Sequence, residues 1–370
     1  MEEKLDKIYM ERAIELAKKG VGFTNPNPMV GAVIVKDGRI IGEGYHERCG
    51  SLHAERNAIA SLTESAQGAT IYVTLEPCCH YGKTPPCTEA IIEQKIARVV
   101  IGSKDPNPLV AGKGAEMLRE AGIEVVEDFC REACDAVNPV FFHYITKKTP
   151  YVAMKYAMTA DGKIATKSGA SKWITGQKAR EHVQSLRHRY MGIMAGIGTV
   201  VKDNPMLNCR MEGGKDPIRI ICDDNMRIPL DCQIVQTAKE IPTILAIKKQ
   251  QFSEDLEKKK KKLLEFGIEI MEIPEKGNYL DLQELMRQLG EKGIDSILLE
   301  GGGILNESAL KAGIVQKVYV YVAPKLFGGA AAKSPVEGEG IAEVKDAYAF
   351  HLENISKIEE DVLLEYERKA

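Results

Sequence analysis

The residues most suited to chemistry in this chain are His53-Ala54-Glu55 and, further along, Pro77-Cys78 with Cys87. One imidazole and two thiolates give a tetrahedral Zn²⁺ three protein ligands and leave the fourth position to water, the open arrangement of a catalytic site. A zinc so held lowers the pKa of that water to about 7, so no strong protein base is needed. Glu55 then has a task. A carboxylate beside the metal takes the proton from the water and returns it, first to a ring nitrogen and then to a leaving amine. The chemistry expected of this set is hydrolytic loss of an amino group from an electron-poor, nucleobase-like ring.

Both metal-binding segments precede helical patterns, AERNAIASL after His53 and TEAIIEQK after Cys87. Helix N-termini favour negative charge, which helps hold a thiolate. The order H-x-E, P-C, second Cys resembles the zinc nucleobase deaminases, although eight residues separate Cys78 from Cys87 where that class has two. A closed zinc knuckle of Cys78, Cys79, His80 and Cys87 is the competing arrangement, but it leaves His53 and Glu55 unexplained. Adjacent Cys78 and Cys79 would also need opposed directions to reach one ion.

The elements that must position these groups alternate in type. Val30 to Val35 and Arg39 to Gly44 flank Lys36-Asp37-Gly38, a hairpin signal. A helix from near His53, a strand over Thr70 to Leu75, a helix after Cys87, a strand over Arg98 to Ile101, a helix over Ala115 to Glu120 and a strand over Ile123 to Val126 follow. This alternation predicts a mixed or parallel sheet with helices on both faces. Phe129 to Tyr144 reads as one helix, and Lys147-Lys148-Thr149-Pro150 is a polar, proline-ended joint suited to a domain boundary.

Beyond the joint the pattern starts afresh. Tyr151 to Ala157, Gly192 to Ala195, Ile218 to Cys222, Ile241 to Ile247, Ile268 to Ile273, Ser296 to Leu299 and Lys317 to Val322 read as strands. Gln177 to His188, Glu254 to Glu265 and Asp281 to Glu291 read as helices. Two α/β domains result, 1–148 and 149–370, as 370 residues exceed what one core usually supports. Two glycine clusters, Gly196-Ile-Gly198-Thr199 and Glu300-Gly301-Gly302-Gly303, follow strands, and backbone N–H groups of the second precede a helix and suit a phosphate. Tight turns explain them equally well. No G-x-G-x-x-G with its distal acid is present, which argues against a standard Rossmann site.

Composition narrows the class further. Lys and Arg total 50 against 53 Asp and Glu, a net charge of −3. This balance indicates neither nucleic acid nor an anionic membrane as partner. The run Lys258 to Lys262 follows Glu254, Asp255 and Glu257 on one predicted helix and reads as a solvated face. No stretch of about 18 apolar residues is found, and the charged first segment lacks a signal-peptide core, so a cytoplasmic protein is expected. Nine cysteines in such a chain argue for free thiols or metal ligands; Cys130, Cys134, Cys209, Cys222 and Cys232 are scattered and read as small apolar residues.

With those motifs set out, the sequence resembles one family, the bifunctional deaminase/reductase of riboflavin biosynthesis. The resemblance is carried by Asn25-Pro-Asn-Pro-Met-Val-Gly31, His53-Ala-Glu55, Thr74-Leu-Glu-Pro-Cys-Cys-His80, Gly82-Lys-Thr-Pro-Pro-Cys87 and Asp105-Pro-Asn-Pro108. In the second half it runs through Lys155, Thr159-Ala-Asp-Gly-Lys163, Ser171-Lys-Trp-Ile-Thr175, Gly198-Thr-Val-Val-Lys-Asp-Asn-Pro-Met-Leu207 and Glu300-Gly-Gly-Gly303. The longer cysteine spacing is that family's own.

The resemblance implies a cytidine-deaminase-like three-layer α/β/α domain and a dihydrofolate-reductase-like α/β domain. The first would deaminate a diamino-pyrimidinone ribosyl 5′-phosphate; the second would reduce the ribosyl to a ribityl chain with NADPH. It places Asn27, His46, Lys83, Asp105 and Asn107 in the deaminase pocket. Amide and carboxylate groups suit a pyrimidinone edge and Lys83 suits a phosphate, although turns use the same residue types. In the reductase it places Ala157, Trp173, Thr199, Asp203, Asp224, Gly302, Gly303, Ile304, Leu305, Asn306, Glu307 and Ser308 at the cofactor. Lys155, Ser171, Leu207 and Glu300 would meet substrate, with Arg187 and Arg210 as phosphate ligands. Arg187 also suits a merely solvated position, and Trp173 suits a core as well as a cofactor wall.

Lys155 and Asp203 are expected near the carbon that takes the hydride, with Asp203 the proton donor. One Zn²⁺ per chain, NADPH and a small-molecule substrate are the expected ligands, in a homo-oligomer. Two rival readings remain: an RNA or nucleoside deaminase fused to a folate-reductase-like domain, and a zinc-stabilised binding module in which Glu55 is dispensable. No residue by itself separates NADPH from NADH.

Overall fold

The computed structural model describes residues 2–81, 85–107 and 110–369. The chain divides into two compact units, Met1–Lys148 and Thr149–Ala370.

In the first unit β1 (Gly31–Lys36) and β2 (Arg39–Tyr45) form the expected hairpin. Its turn holds Asp37 and Gly38 at φ 50° and 73°, the left-handed pair that matches strand twist. With β3 (Thr70–Leu75), β4 (Arg98–Ser103) and β5 (Glu124–Val126) the sheet order is β2-β1-β3-β4-β5. β1 runs antiparallel to β2 and β3, whereas β3, β4 and β5 are parallel. Alternate residues face opposite cores. Ala32 and Ile34 pack with Ala54 and Ala58 of α2 (Ala54–Ala60), Ile91 of α3 (Cys87–Glu93) and Leu118 of α4 (Lys113–Glu120). Val33 and Val35 pack with Met10, Ala13 and Ala17 of α1 (Glu2–Lys18) and with Cys134 of α5 (Arg131–Asp135).

The close approach of α2 depends on Gly44, where a Cβ would lie 2.3 Å from the Ala58 backbone nitrogen. Flush packing of α2 on β2 in turn fixes His53 and Glu55 at the helix start. The single helix expected over Phe129 to Tyr144 is divided: α5 ends before Asn138, and α6 (Pro139–Lys147) begins at Pro139. Proline lacks the N–H that an unbroken helix needs there, but suits a first turn.

The second unit is built on a nine-stranded sheet. Its strands are β6 (Tyr151–Thr159), β7 (Gly192–Gly196), β8 (Ile218–Cys222), β9 (Thr243–Lys248), β10 (Ile268–Ile273), β13 (Ser296–Leu299), β14 (Val315–Ala323), β15 (Phe350–Ile358) and β16 (Asp361–Arg368). A small hairpin, β11 (Glu275–Lys276) and β12 (Tyr279–Leu280), stands beside it. The order is β10-β9-β8-β7-β13-β6-β14-β16-β15, parallel from β10 to β14, with β16 and β15 added antiparallel. Two apolar clusters line its faces.

α7 (Gln177–Arg189), α10 (Glu254–Glu265) and α11 (Leu282–Glu291) fall where the sequence places helices. α8 (Ile197–Asp203), α9 (Gln233–Gln236), α12 (Gly303–Lys311) and the β15–β16 hairpin complete the unit. The lysine run on α10 is more than a solvated face: Lys260 Nζ meets Glu272 Oε1 at 2.6 Å and Lys259 Nζ donates to the Met226 carbonyl at 2.7 Å.

Candidate active sites

His53 caps α2, Cys78 lies just beyond β3, and Cys87 opens α3, so three separate element ends deliver three ligand atoms. The His53 Nδ1 lies 3.4 Å from Cys78 Sγ and 3.4 Å from Cys87 Sγ, and all three atoms fall within 4.8 Å of one another. Zinc bonds of about 2.3 Å to sulfur and about 2.0 Å to nitrogen, at tetrahedral angles, set N···S separations of about 3.5 Å. The donor set therefore fits zinc. Among the described residues neither Cys79 nor His80 joins the cluster, so the closed-knuckle arrangement is absent there.

The Cys87 thiol hydrogen-bonds to Cys78, which holds Cys78 well below the usual thiol range and pushes Cys87 up, so the pair shares one proton that a divalent ion would displace. Glu55 is 3% exposed; burial first, then the nearby Cys78 sulfur, pushes its carboxyl upward. A raised carboxyl next to a metal-bound water is suited to moving protons in both directions.

A cavity of about 410 Å³ opens on this cluster and is walled by Asn27, His46, His53, Glu55, Cys78, Asp105 and Asn107. The His46 ring is buried, edge-on to His53 with centroids 5.5 Å apart. Burial lowers its pKa, so it is neutral; Nδ1 bonds the Leu52 carbonyl at 3.0 Å and Nε2 faces Asn27 Nδ2 at 3.4 Å. This partnering places the ring proton on Nδ1 and leaves Nε2 to accept. Burial also raises Asp105 to about 6, while its Oδ1 accepts the Asn107 N–H at 2.8 Å. Lys83 lies outside the described residues.

The sequence reading assigned nothing to Glu76. Its carboxylate accepts from Gly112 N at 2.9 Å, Gly114 N at 3.0 Å and Ala115 N at 3.3 Å, pinning the start of α4 to the metal-binding loop. An acid one residue before Pro77-Cys78 was the available signal. Phe141, Tyr144 and Ile145 of α6 also wall the cavity.

In the second unit a cavity of about 630 Å³ crosses the C-terminal ends of β6, β13, β7 and β8, where parallel sheets place their ligands. Lys155, Ala157, Ser171, Trp173, Arg187, Thr199, Asp203, Arg210, Asp224 and Glu300 line it, as do Gly302, Gly303, Ile304, Leu305 and Ser308. Three expected residues do not. Leu207 is buried in a core cluster, Asn306 is turned inward to the Pro335 carbonyl at 2.8 Å, and the buried Glu307 is off the wall. Trp173 is 64% exposed on the wall beneath the Arg180 guanidinium, 4.7 Å away, so it is not a core residue.

Arg187 departs most from expectation. Its Nε and Nη2 bond the two Glu300 oxygens at 2.7 and 3.1 Å, and Nη1 bonds the Asn208 carbonyl at 2.9 Å. It is neither solvated nor free for a phosphate. Burial alone would raise Glu300, but Arg187, with Lys155 Nζ 3.6 Å away, outweighs it and holds the carboxyl at about 2. Open space surrounds the Cα of Gly302 and of Gly198, so a phosphate chain can approach the backbone at both turns.

These features define a zinc-dependent deaminase fold joined to a reductase fold. Residues 3–103 match the cytidine and deoxycytidylate deaminase zinc-binding region, and residues 150–364 match the RibD C-terminal domain. The chain belongs to the family of the riboflavin biosynthesis protein RibD. A curated relative of that name from Actinobacillus pleuropneumoniae is 57% identical over 98% of this chain and 95% of its own. RibD of Acinetobacter baumannii superposes with a TM-score of 0.89 at 36% identity over all of both chains. A diaminohydroxyphosphoribosylaminopyrimidine deaminase/5-amino-6-(5-phosphoribosylamino)uracil reductase from Thermotoga maritima superposes at 0.88 with 39% identity, again over all of both chains. The protein is thus a bifunctional deaminase and reductase of riboflavin biosynthesis, with Zn²⁺ and NADPH as cofactors.

Proposed function

We propose that residues 1–148 remove ammonia from 2,5-diamino-6-ribosylamino-4(3H)-pyrimidinone 5′-phosphate, and that residues 149–370 then reduce its ribosyl group to a ribityl chain. The observation that carries the first half is the buried Glu55 carboxyl set beside a three-ligand triangle at the floor of a cavity. Bound zinc supplies an acidified water. Glu55 accepts one proton of that water and passes it to the ring nitrogen as the oxygen bonds to the ring carbon. It then takes the proton of the new hydroxyl and gives it to the amine, so the C–N bond breaks, a carbonyl forms and neutral ammonia leaves. Asn27, the neutral His46, Asp105 and Asn107 read the polar edge of the ring, and Lys83 pairs with the phosphate.

In the second cavity NADPH supplies the hydride to the sugar C1. Ala157, Trp173, Thr199, Asp224 and the turn from Gly302 to Ser308 hold the cofactor. Lys155 and Ser171 orient the sugar, Asp203 gives the proton, and Arg210 pairs with the substrate phosphate. Glu300, kept charged by Arg187 and Lys155, fixes the Lys155 ammonium at the substrate end, and its pairing takes Arg187 away from the phosphate.

Action in the cytoplasm as a homo-oligomer on a diffusible phosphate ester completes this reading. All nine cysteines are free, which suits a reducing compartment. No helix is long and apolar enough to cross a membrane among the described residues. The test is incubation with the diamino-pyrimidinone phosphate, with and without NADPH, following ammonia and absorbance at the nicotinamide band separately. Ammonia release without NADPH, and NADPH oxidation only after deamination, are expected; oxidation of NADPH by the undeaminated substrate alone would reverse the order of steps.

A further inference from the structure

The reductase cavity is elongated along the sheet. Lys155, at its β6 end, is three strands from Cys222 and Asp224 at the end of β8, and three strand spacings amount to about 14 Å. The glycine turn before α12 lies between, after β13. A dinucleotide whose nicotinamide meets the sugar near Lys155 and whose pyrophosphate passes Gly302 must therefore lay its adenosine end against β8. This placement rests on the assignment of the cavity to cofactor and substrate made above.

At that end the wall consists of Cys222, Asp224, Arg227, Tyr279, Leu280 and Leu282. The turn from Asp223 to Ile228 that carries two of these is built to stay in place. Buried Asp223 accepts the Ile228 N–H on Oδ2 at 2.8 Å, Met226 is buried in the left-handed region at φ 53°, and the Met226 carbonyl accepts Lys259 Nζ at 2.7 Å. Arg227 projects from this turn with its side chain 63% exposed, and its only recorded ion-pair approach among the described residues is Nε to Asp223 Oδ1 at 4.0 Å.

Four other cations on the wall have internal partners, while Arg210, held through its backbone N–H to Gln184 of α7, and Lys333, whose carbonyl accepts the Ile164 N–H after β6, keep side chains that are free among the described residues at other parts of the cavity. Lys155 and Arg187 are taken by Glu300, Lys202 by the Gly169 carbonyl at 2.6 Å, and Arg180 by the Thr175 carbonyl at 2.6 Å. Arg227 is thus a guanidinium with donors to offer at the end where the adenosine ribose must lie. An acid such as Asp224 there suits ribose hydroxyls, whereas a neighbouring arginine suits a phosphate ester on the 2′ oxygen, through two parallel N–H donors.

We infer that Arg227 selects NADPH over NADH by pairing with the adenosine 2′-phosphate, while Asp224 takes the adjacent ribose hydroxyl. The residue acts on binding, not on the hydride step. Its absence weakens NADPH and leaves NADH, which carries no such phosphate, where it was.

The reporter is already in the cavity, because Trp173 is the chain's one tryptophan and stands on the same wall. Quenching of its emission by NADPH and by NADH gives the two dissociation constants without turnover, on the full-length zinc-loaded protein. In Arg227→Ala the NADPH constant should rise on the order of ten- to a hundred-fold with the NADH constant changed less than about two-fold. Arg227→Lys, which keeps the charge but loses the fork, should fall between. Competition should follow the same rule: 2′,5′-ADP displaces NADPH from wild type far better than 5′-AMP does, and the two become equal in Arg227→Ala.

An unchanged preference in both variants, or an equal loss for the two cofactors, overturns the inference. Wild type that binds neither nucleotide in this cavity would instead overturn the reading of the cavity itself. Far-UV circular dichroism and Arg227→Gln guard against a fold defect in the alanine variant, since the glutamine retains the aliphatic stem.

Discussion

The Arg187 guanidinium grips both oxygens of Glu300, Nε to Oε1 at 2.7 Å and Nη2 to Oε2 at 3.1 Å, on the wall of the reductase cavity. Both side chains are little exposed, 12% and 13%. Removing one member leaves the other charge buried, which costs about 3 to 5 kcal/mol, whereas removing both costs far less. Arg187→Met should therefore destabilise the second unit by that order in urea unfolding, and Arg187→Met with Glu300→Gln should recover part of the loss, since the second change also strips Lys155 of its partner. A single variant as stable as wild type would show that the pair is replaceable by water.

The same pair fixes a pH dependence. Glu300 is held at about 2, below an ordinary 4.5, so its contribution is present above pH 4.5 and is lost as pH falls toward 2. Acid unfolding of the second unit should shift to higher pH in Arg187→Met, read by circular dichroism between pH 5 and pH 2. No shift would mean that Lys155 alone suffices.

Glu55→Gln keeps size and hydrogen bonding but cannot cycle a proton. Ammonia release should fall by about 10²- to 10⁴-fold. Zinc content should stay at one per chain, because His53, Cys78 and Cys87 are untouched. Turnover within ten-fold of wild type would assign the proton shuttle elsewhere.

The first site was legible because its chemistry is local: His53 and Glu55 share one helix start, and Cys78 and Cys87 bracket one loop. Glu76 was not, since its role exists only once Gly112 to Ala115 fold back onto it, far along the sequence. Arg187 misled for a related reason. A phosphate and a carboxylate present the same geometry to a guanidinium, and nothing near residue 187 in sequence announces Glu300. The β15–β16 hairpin escaped because β15 is exposed along most of its length, so its residues carry no apolar alternation to read. α8 escaped because Gly196 and Gly198 read as a turn, although a glycine N-terminus serves a helix equally well. Leu207, Asn306 and Glu307 were carried over with neighbours that do face the cavity, but their own side chains point into packed interior.

Asp203 closes α8 and lines the reductase cavity along with Lys155 and Thr199. If its carboxyl gives the proton that accompanies hydride transfer, Asp203→Asn should lower reductase kcat by about 10²-fold or more with ammonia release unchanged. Stopped-flow NADPH oxidation, read beside ammonia release from the same preparation, checks this. Reductase turnover within about ten-fold of wild type would transfer the proton to another donor.

Asp105 offers a stability test inside the deaminase pocket. Its carboxyl titrates at about 6 in the fold against an ordinary 3.8, with burial the largest cause. A folded value raised in this way means that the protonated acid stabilises the protein; the contribution is complete below pH 3.8 and gone above pH 6. Asp105→Asn keeps an oxygen to accept the Asn107 N–H but never ionises, so it should gain stability over wild type as pH rises. The gain should reach about 3 kcal/mol by pH 8 and vanish near pH 4. With Asp105 in the proposed role of a charged acceptor for the pyrimidinone edge, substrate binding should weaken in the same variant at pH 8. Thermal melts of the zinc-loaded proteins at pH 4, 6 and 8, beside substrate titrations at pH 8, read both effects. A stability difference independent of pH would show that Asp105 is ionised in the folded pocket throughout this range.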